Sequence, residues 1–154
     1  DGIILSAAAL RRLGQDHLIA EVMDHKNFLP AACQGAVGVQ SKINDELEEI
    51  FKIINHDETE IECNAERNVL KKINANCNSP ISVYAKIKNG SIQIKCHLFD
   101  HNGKCLFKEI LTGSVAHYRD LSMELGTKII KHVGQQKINQ LNILEDDFDY
   151  TPKA

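Results

Sequence analysis

Cys77 stands in a short polar stretch, Asn74-Ala75-Asn76-Cys77-Asn78-Ser79-Pro80, between Ile73, which ends a helical pattern, and Ile81, which begins an alternating one. A thiol on such a connection is placed as reactive side chains often are, on a loop held by rigid supports. It offers either nucleophilic attack or a permanent covalent bond to a ligand. The plain alternative is a loop cysteine with no chemical role. A thiol that is bonded once does not need the activation that a turnover nucleophile needs.

No catalytic partner is marked for it. His17, His25, His56, His97, His101, His117 and His132 are scattered, and none is spaced as a base for Cys77 or for a serine. The carboxylates at 45–49 and 57–62 fall in first turns of helical patterns, where they serve caps and the helix dipole. Gly35 and Gly38 do not form a GxGxxG, and no Walker sequence occurs. The five cysteines (Cys33, Cys63, Cys77, Cys96, Cys105) contain no CxxC, and Cys96-His97 are strand neighbours that point to opposite faces, so no metal site is expected. Their odd number suits free thiols in a reducing cytoplasm better than a disulfide framework. Cys33 reads most simply as a small buried apolar residue.

Two polar side chains carry a second possibility. Arg12 follows an apolar strand-like run near the end of a short helix, the position of the mouth of an α/β crevice, and its planar fork suits carboxylates. A surface arginine on an amphipathic turn is the equal alternative. Gln34 lies in an apolar, glycine-flanked run and needs hydrogen-bond partners if buried, as a structural anchor or as a ligand contact.

The elements that must position these groups form two patterns. Residues 2–9 read as a strand running into a helix with Arg11 and Arg12 that stops near Gly14; a second short helix is expected over 16–23, and a buried strand over 29–40. Asp45 with Glu48 caps a helix whose stripe is Leu47, Ile50, Phe51 and Ile54. This strand–helix–strand–helix order reads as an α/β remnant spanning 1–55. From 56 to 144 the pattern changes. Asp57 with Glu60 caps a helix with Ile61, Ala65, Val69 and Ile73 inside, and three alternating strands follow, the first two joined by the hairpin signal Asn89-Gly90. A last helix carries Leu121, Leu125, Ile129, Ile130 and Val133 and ends at Gly134. The fold class is α+β: a three-stranded antiparallel sheet with helices on one face. Residues 145–154 form an acidic tail.

Bulk properties narrow the function. With 43% hydrophobic and 25% charged residues and a formal net charge of -3, the chain has the composition of an ordinary globular domain and no basic footprint for nucleic acid or a membrane surface. No apolar run approaches the roughly 20 residues that span a bilayer. Arg11, Arg12, Arg67 and Arg119 are the only arginines among 18 basic residues, so a polyanionic ligand would draw most of its binding groups from elsewhere. The chain opens at Asp1, inside a strand-like run, which reads as a fragment or a processed product.

Taken together, four segments resemble the porphobilinogen deaminase (hydroxymethylbilane synthase) family, from the end of its second domain through its third. Ala7-Ala8-Ala9-Leu10-Arg11-Arg12-Leu13-Gly14 is similar to the family's A-x-L-x-R-L-G stretch, and Leu29-Pro30 through Gln34-Gly35-Ala36-Val37-Gly38 to its P-x-x-G-Q-G-A-x-G strand. Asn55-His56-Asp57-Glu58-Thr59 and Ala65-Glu66-Arg67 match the helix before the cofactor loop, and Cys77 with Pro80 matches the cofactor cysteine. The resemblance implies a transferase of haem biosynthesis that joins four porphobilinogen units into hydroxymethylbilane and releases ammonia. It implies a dipyrromethane cofactor held by a thioether to Cys77, with Arg12 on cofactor or chain carboxylates and Gln34 and Gly35 beside the cofactor. Glu66 and Arg67 would pair to hold the supporting helix. Porphobilinogen and the growing polypyrrole are the implied partners of a cytoplasmic, monomeric full-length enzyme.

This sequence departs from the family pattern at two places: Ala75-Asn76 stand where it has Gly-Gly, and Cys33 where it has glycine. The catalytic aspartate of the family belongs upstream of Asp1, so the 154 residues alone are expected to lack deaminase activity, and exposed sheet edges among the first fifty would favour self-association. Two other readings stay open: a non-catalytic α+β regulatory or assembly module with incidental cysteines, and a thiol enzyme with Cys77 as turnover nucleophile.

Overall fold

The computed structural model describes residues 2–25, 28–42 and 45–143, without the side chains of Asp45 and Glu46. Its core is built by helix α3 (Asp57–Ile73), strands β1 (Ile81–Lys88), β2 (Ser91–Phe99) and β3 (Cys105–Ser114), and helix α4 (Tyr118–Val133). The strands form an antiparallel meander in the order β1-β2-β3, with Val83 opposite Cys96 and Leu98 opposite Phe107. Alternation decides which face is buried. Val83, Ala85, Ile92, Ile94, Cys96, Leu98 and Phe107 turn inward, against Ala65, Val69 and Ile73 of α3 and Leu125 and Ile129 of α4. The intervening residues, such as Lys86, Gln93 and Lys108, are not buried. The expected α+β sheet with helices on one face is the observed one.

The hairpin signal acts as its residues require. Asn89 and Gly90 take φ of 51° and 73°, the two positive values of a tight turn that matches strand twist, while Lys88 and Ser91 still pair. α3 and α4 lie so close that a Cβ on Gly126 would stand 2.7 Å from Cβ of Lys72.

Several expectations give way. α3 is capped by His56, whose Nδ1 accepts the Thr59 amide at 3.2 Å; Asp57 is its first helical residue. The carboxylates of Asp57 and Glu60 instead accept from the side-chain amide of Asn55. A further helix, α5 (Gln135–Leu141), follows Gly134 and buries Ile138 and Leu141; no helix is expected beyond Gly134, because two apolar residues in a polar run make a weak periodic signal.

Before α3 the outcome differs more. α1 (Ala7–Arg12) and α2 (Asp45–Ile54) form, but 16–23 holds only a 3-10 turn at Asp16–Leu18, and no strand forms at 2–9 or 29–40. A strand is stabilised by ladder partners, and the described residues supply none for these runs. Among described residues before α3, Leu29 alone is buried, while Ile3 is 82%, Val37 92% and Ile53 83% exposed. The expected strand–helix–strand–helix layer is therefore helices and extended chain. The acidic tail expected over 145–154 lies outside the described residues.

Candidate functional site

The Cys77 loop begins where α3 stops, and a defined cap makes it stop. Asn74 takes the left-handed conformation (φ 58°, ψ 37°); its amide bonds to the Lys71 carbonyl, and the Ala75 amide reaches back to the Leu70 carbonyl at 2.9 Å. This is the Schellman pattern, with Ala75 and Leu70 supplying its apolar contact against the core. The positive φ of this connection falls on Asn74, and neither Ala75 nor Asn76 has one, so the side chains at 75 and 76 bring no backbone strain.

Beyond the cap the chain closes on itself. The Asn76 amide donates to Ser79 Oγ at 2.8 Å, the Asn78 amide to Asn76 Oδ1 at 2.9 Å, and the Ser79 amide to the Asn76 carbonyl at 3.2 Å. Cys77 sits at the crest of this turn, exposed and unpaired with another thiol, with Asn78 Oδ1 3.7 Å from its sulfur. A thiol so presented can form one bond to an incoming carbon without any movement of the core.

Gln34 and Gly35 lie along the body of α3, beside Cys63 and Glu66. They belong to a tight turn with φ of 60° at Cys33 and 88° at Gly35, and Gln34 is exposed rather than buried in a strand. Cys33 therefore occupies a left-handed conformation in which glycine would carry no penalty. The segment is tied to β1 by two contacts and to α3 by one: His25 stacks on Tyr84 at 4.7 Å, Ser82 Oγ donates to the Leu29 carbonyl at 3.0 Å, and the Cys33 amide donates to Glu66 Oε2 of α3.

Glu66 is 5% exposed and accepts a second amide, from Ala85, at 2.7 Å. Burial raises its carboxyl above the ordinary value, and the backbone donors oppose that rise. Glu66 is structural, but its partners are two backbone amides; adjacent helix positions point about 100° apart, and no Glu66–Arg67 ion pair occurs among the described residues. Beside it, burial and the neighbouring Cys33 thiol push Cys63 up to about 11.

A cavity of about 160 Å³ is lined by Gln34, Gly35, Cys33, Cys63, Glu66 and Ala85. An adjoining cleft of about 680 Å³ lies between 32–39, α2 and α3, with Arg67 the only arginine in its lining. Neither Cys77 nor Arg12 lines either space. Arg12 is exposed in the last turn of α1. Of the four expected cofactor residues, the structure brings together Gln34 and Gly35 and leaves Arg12 and Cys77 apart from them. An accessible thiol fits a covalently attached group; a carboxylate cradle around it is not assembled by the described residues. Among those residues no cluster of metal-ligating side chains occurs, and no helix is long and apolar enough to cross a membrane.

Two family models match the chain: "Porphobilinogen deaminase, dipyromethane cofactor binding domain" over residues 1–49 and "Porphobilinogen deaminase, C-terminal domain" over residues 60–131. Cys77 lies in the second. Porphobilinogen deaminase of Clostridium botulinum (strain Kyoto / Type A2) is 37% identical over 131 residues, covering 85% of this chain and 44% of that protein. The proteins of the same name from Chlorobium phaeobacteroides and Chlorobium luteolum are each 32% identical, over 92% and 90% of this chain and 45% of theirs. The chain thus spans less than half the length of these relatives.

Proposed function

Because the chain belongs to the porphobilinogen deaminase family, we propose that it forms the cofactor-carrying part of such an enzyme, with Cys77 as the thioether anchor of a dipyrromethane. The observation that carries this reading is the exposed thiol of Cys77 at the crest of a loop fixed at both ends, within the segment that matches the family's C-terminal domain. The sulfur would bond to a pyrrole methylene carbon while the thiol proton and the carbon's leaving group depart. Once bound, the dipyrromethane supplies the pyrrole end to which porphobilinogen units are added.

The residues of this chain have supporting parts in that scheme. Arg12 offers a fork for acetate or propionate carboxylates, and Gln34 and Gly35 offer a polar edge beside α3. Porphobilinogen and the growing polypyrrole are the small-molecule partners, and the acid–base aspartate comes from sequence outside these 154 residues. The 154 residues alone form no bilane. Free thiols suit a cytoplasmic setting, and the net charge of -3 gives no reason to invoke nucleic acid. Ile3, Val37 and Ile53 are exposed apolar surface through which the chain alone self-associates, whereas the whole enzyme is a monomer.

Intact mass tests the anchor. The chain is co-produced with the remaining sequence of the enzyme and digested; a dipyrrole-sized adduct on the Cys77 peptide, lost in Cys77→Ser, is the expected result. An unmodified Cys77 in an assembly that makes bilane would overturn it, and would favour the non-catalytic reading of this domain.

A further inference from the structure

α5 is short and largely polar, yet its polar residues are not scattered. Gln135, Asn139 and Asn142 fall at i, i+4 and i+7, one face of the helix and its C-terminal cap, while Ile138 and Leu141 bury the adjoining face in the core. That polar face meets the end of α3 and the Cys77 loop. Gln135 Nε2 donates to the Ile73 carbonyl at 3.1 Å and to Asn139 Oδ1 at 2.9 Å. Asn142 does more. Its Nδ2 donates to the Asn74 carbonyl at 2.7 Å, its Oδ1 accepts from Ser79 Oγ at 2.7 Å, and its backbone carbonyl accepts from Asn76 Nδ2 at 3.2 Å.

One residue therefore holds the loop at three points, two before Cys77 and one after it, across more than sixty positions of sequence. The donors on α5 satisfy carbonyls that a helix end leaves without partners. The acceptor takes the hydroxyl of Ser79, which in turn receives the Asn76 amide that closes the turn. Asn142 makes no contact with the Cys77 sulfur, which is exposed at the crest and donates only to the neighbouring Asn78 Oδ1 at 3.7 Å among the described residues.

We propose that Asn142 is a positioning residue for the Cys77 loop: through its carboxamide it fixes Asn74 and Ser79 on either side of the thiol and so presents the sulfur for attachment. The inference rests on the reading of Cys77 as the anchor, but the clamp itself is measurable without any cofactor.

The test uses the full 154-residue chain and its Asn142→Ala, Asn142→Asp and Ser79→Ala variants. Amide hydrogen exchange is followed at Asn76, Asn78 and Ser79, with Val83, Ile94 and Leu98 as references in the sheet. Asn142→Ala is expected to speed exchange at the three loop amides about tenfold, a loss of about 1.4 kcal/mol of local protection, and to leave the sheet amides unchanged. Asn142→Asp, which keeps the acceptor for Ser79 and loses the donor to Asn74, is expected to fall between. Ser79→Ala added to Asn142→Ala should cost less than the sum of the two single changes. Loop exchange within twofold of wild type in Asn142→Ala would overturn the inference, as would equal acceleration in loop and sheet, which would make Asn142 a general stability residue. In the assembled enzyme, Asn142→Ala is expected to lower the fraction of Cys77 carrying the dipyrrole adduct. An unmodified wild-type Cys77 would count against the anchor, whereas full loading of Asn142→Ala beside loaded wild type would overturn the positioning role alone.

Discussion

Glu66 of α3 accepts the amide of Ala85, on the free edge of β1, at 2.7 Å, and one turn earlier Glu62 accepts the amide of Ile87 at 2.8 Å. The pairing has a simple metric. Four helical residues advance about 6 Å and two strand residues about 7 Å, so glutamates at i and i+4 meet two successive outward-facing amides of a neighbouring antiparallel strand. An edge that would otherwise invite another strand is closed by carboxylates. Glu66 spends its second oxygen on the Cys33 amide, which ties the turn holding Gln34 and Gly35 to the same edge.

Removal of this carboxylate should be costly. Glu66→Ala leaves two amides without their acceptor and is expected to destabilise the chain by about 2–4 kcal/mol, while Glu66→Gln, which turns a donor toward one of them, should cost about 1–3 kcal/mol. Urea unfolding followed by far-UV circular dichroism measures both. A loss under 0.5 kcal/mol, by the same order-of-magnitude scale, would refute the role given to Glu66.

The same residue sets a pH dependence. Burial holds the Glu66 carboxyl above its ordinary 4.5, so the folded chain binds this proton more readily than the unfolded chain does. Its contribution therefore favours the folded state at low pH and is lost as pH rises from 4.5 through the raised folded value. Unfolding free energies measured between pH 4 and 7 should fall more steeply in wild type than in Glu66→Gln. Parallel profiles would show that another group carries the slope.

Thiol reactivity should divide the cysteines. Burial pushes Cys96 up to about 12 and Cys63 up to about 11, whereas Cys77 and Cys105 are exposed. Iodoacetamide at pH 7.5 is expected to label Cys77 and Cys105 at least tenfold faster than Cys96, with peptide mass as the readout. Early loss of Cys96 would mean that the sheet opens before it reacts.

Gly126 marks the closest approach of α3 and α4. A methyl group there meets Cβ and Cγ of Lys72, so Gly126→Ala is expected to lose about 1–2 kcal/mol, the gain in helix propensity being smaller than the cost of separating the helices. At Asn74 the sign reverses. Asn74→Gly keeps the carbonyl that α5 binds and relieves the left-handed backbone, so it should raise stability by up to about 1 kcal/mol, and Asn74→Ala should lower it by a similar amount. Thermal unfolding of the three variants reads both signs.

Much of this protein was determined locally, and so could be read from its sequence. Alternation from Ile81 to Leu98 decides the buried face of each strand, Asn89-Gly90 sets their register, and the spacing of Ala65, Val69 and Ile73 orients α3. The family motifs, and Cys77 on a loop, are likewise short-range patterns. Tertiary structure alone decided what depends on distant partners. Glu62 reads as a first-turn acid and Glu66 as the partner of Arg67 until β1 lies alongside them and supplies backbone amides instead. Asn142, in a run too polar to suggest a helix, acquires its place only when Ile138 and Leu141 dock. The runs at 2–9 and 29–40 have strand composition, but pairing is not a property of one segment, and among the described residues they find no ladder. Periodicity is written in neighbours along the chain; hydrogen-bond partners are supplied across space.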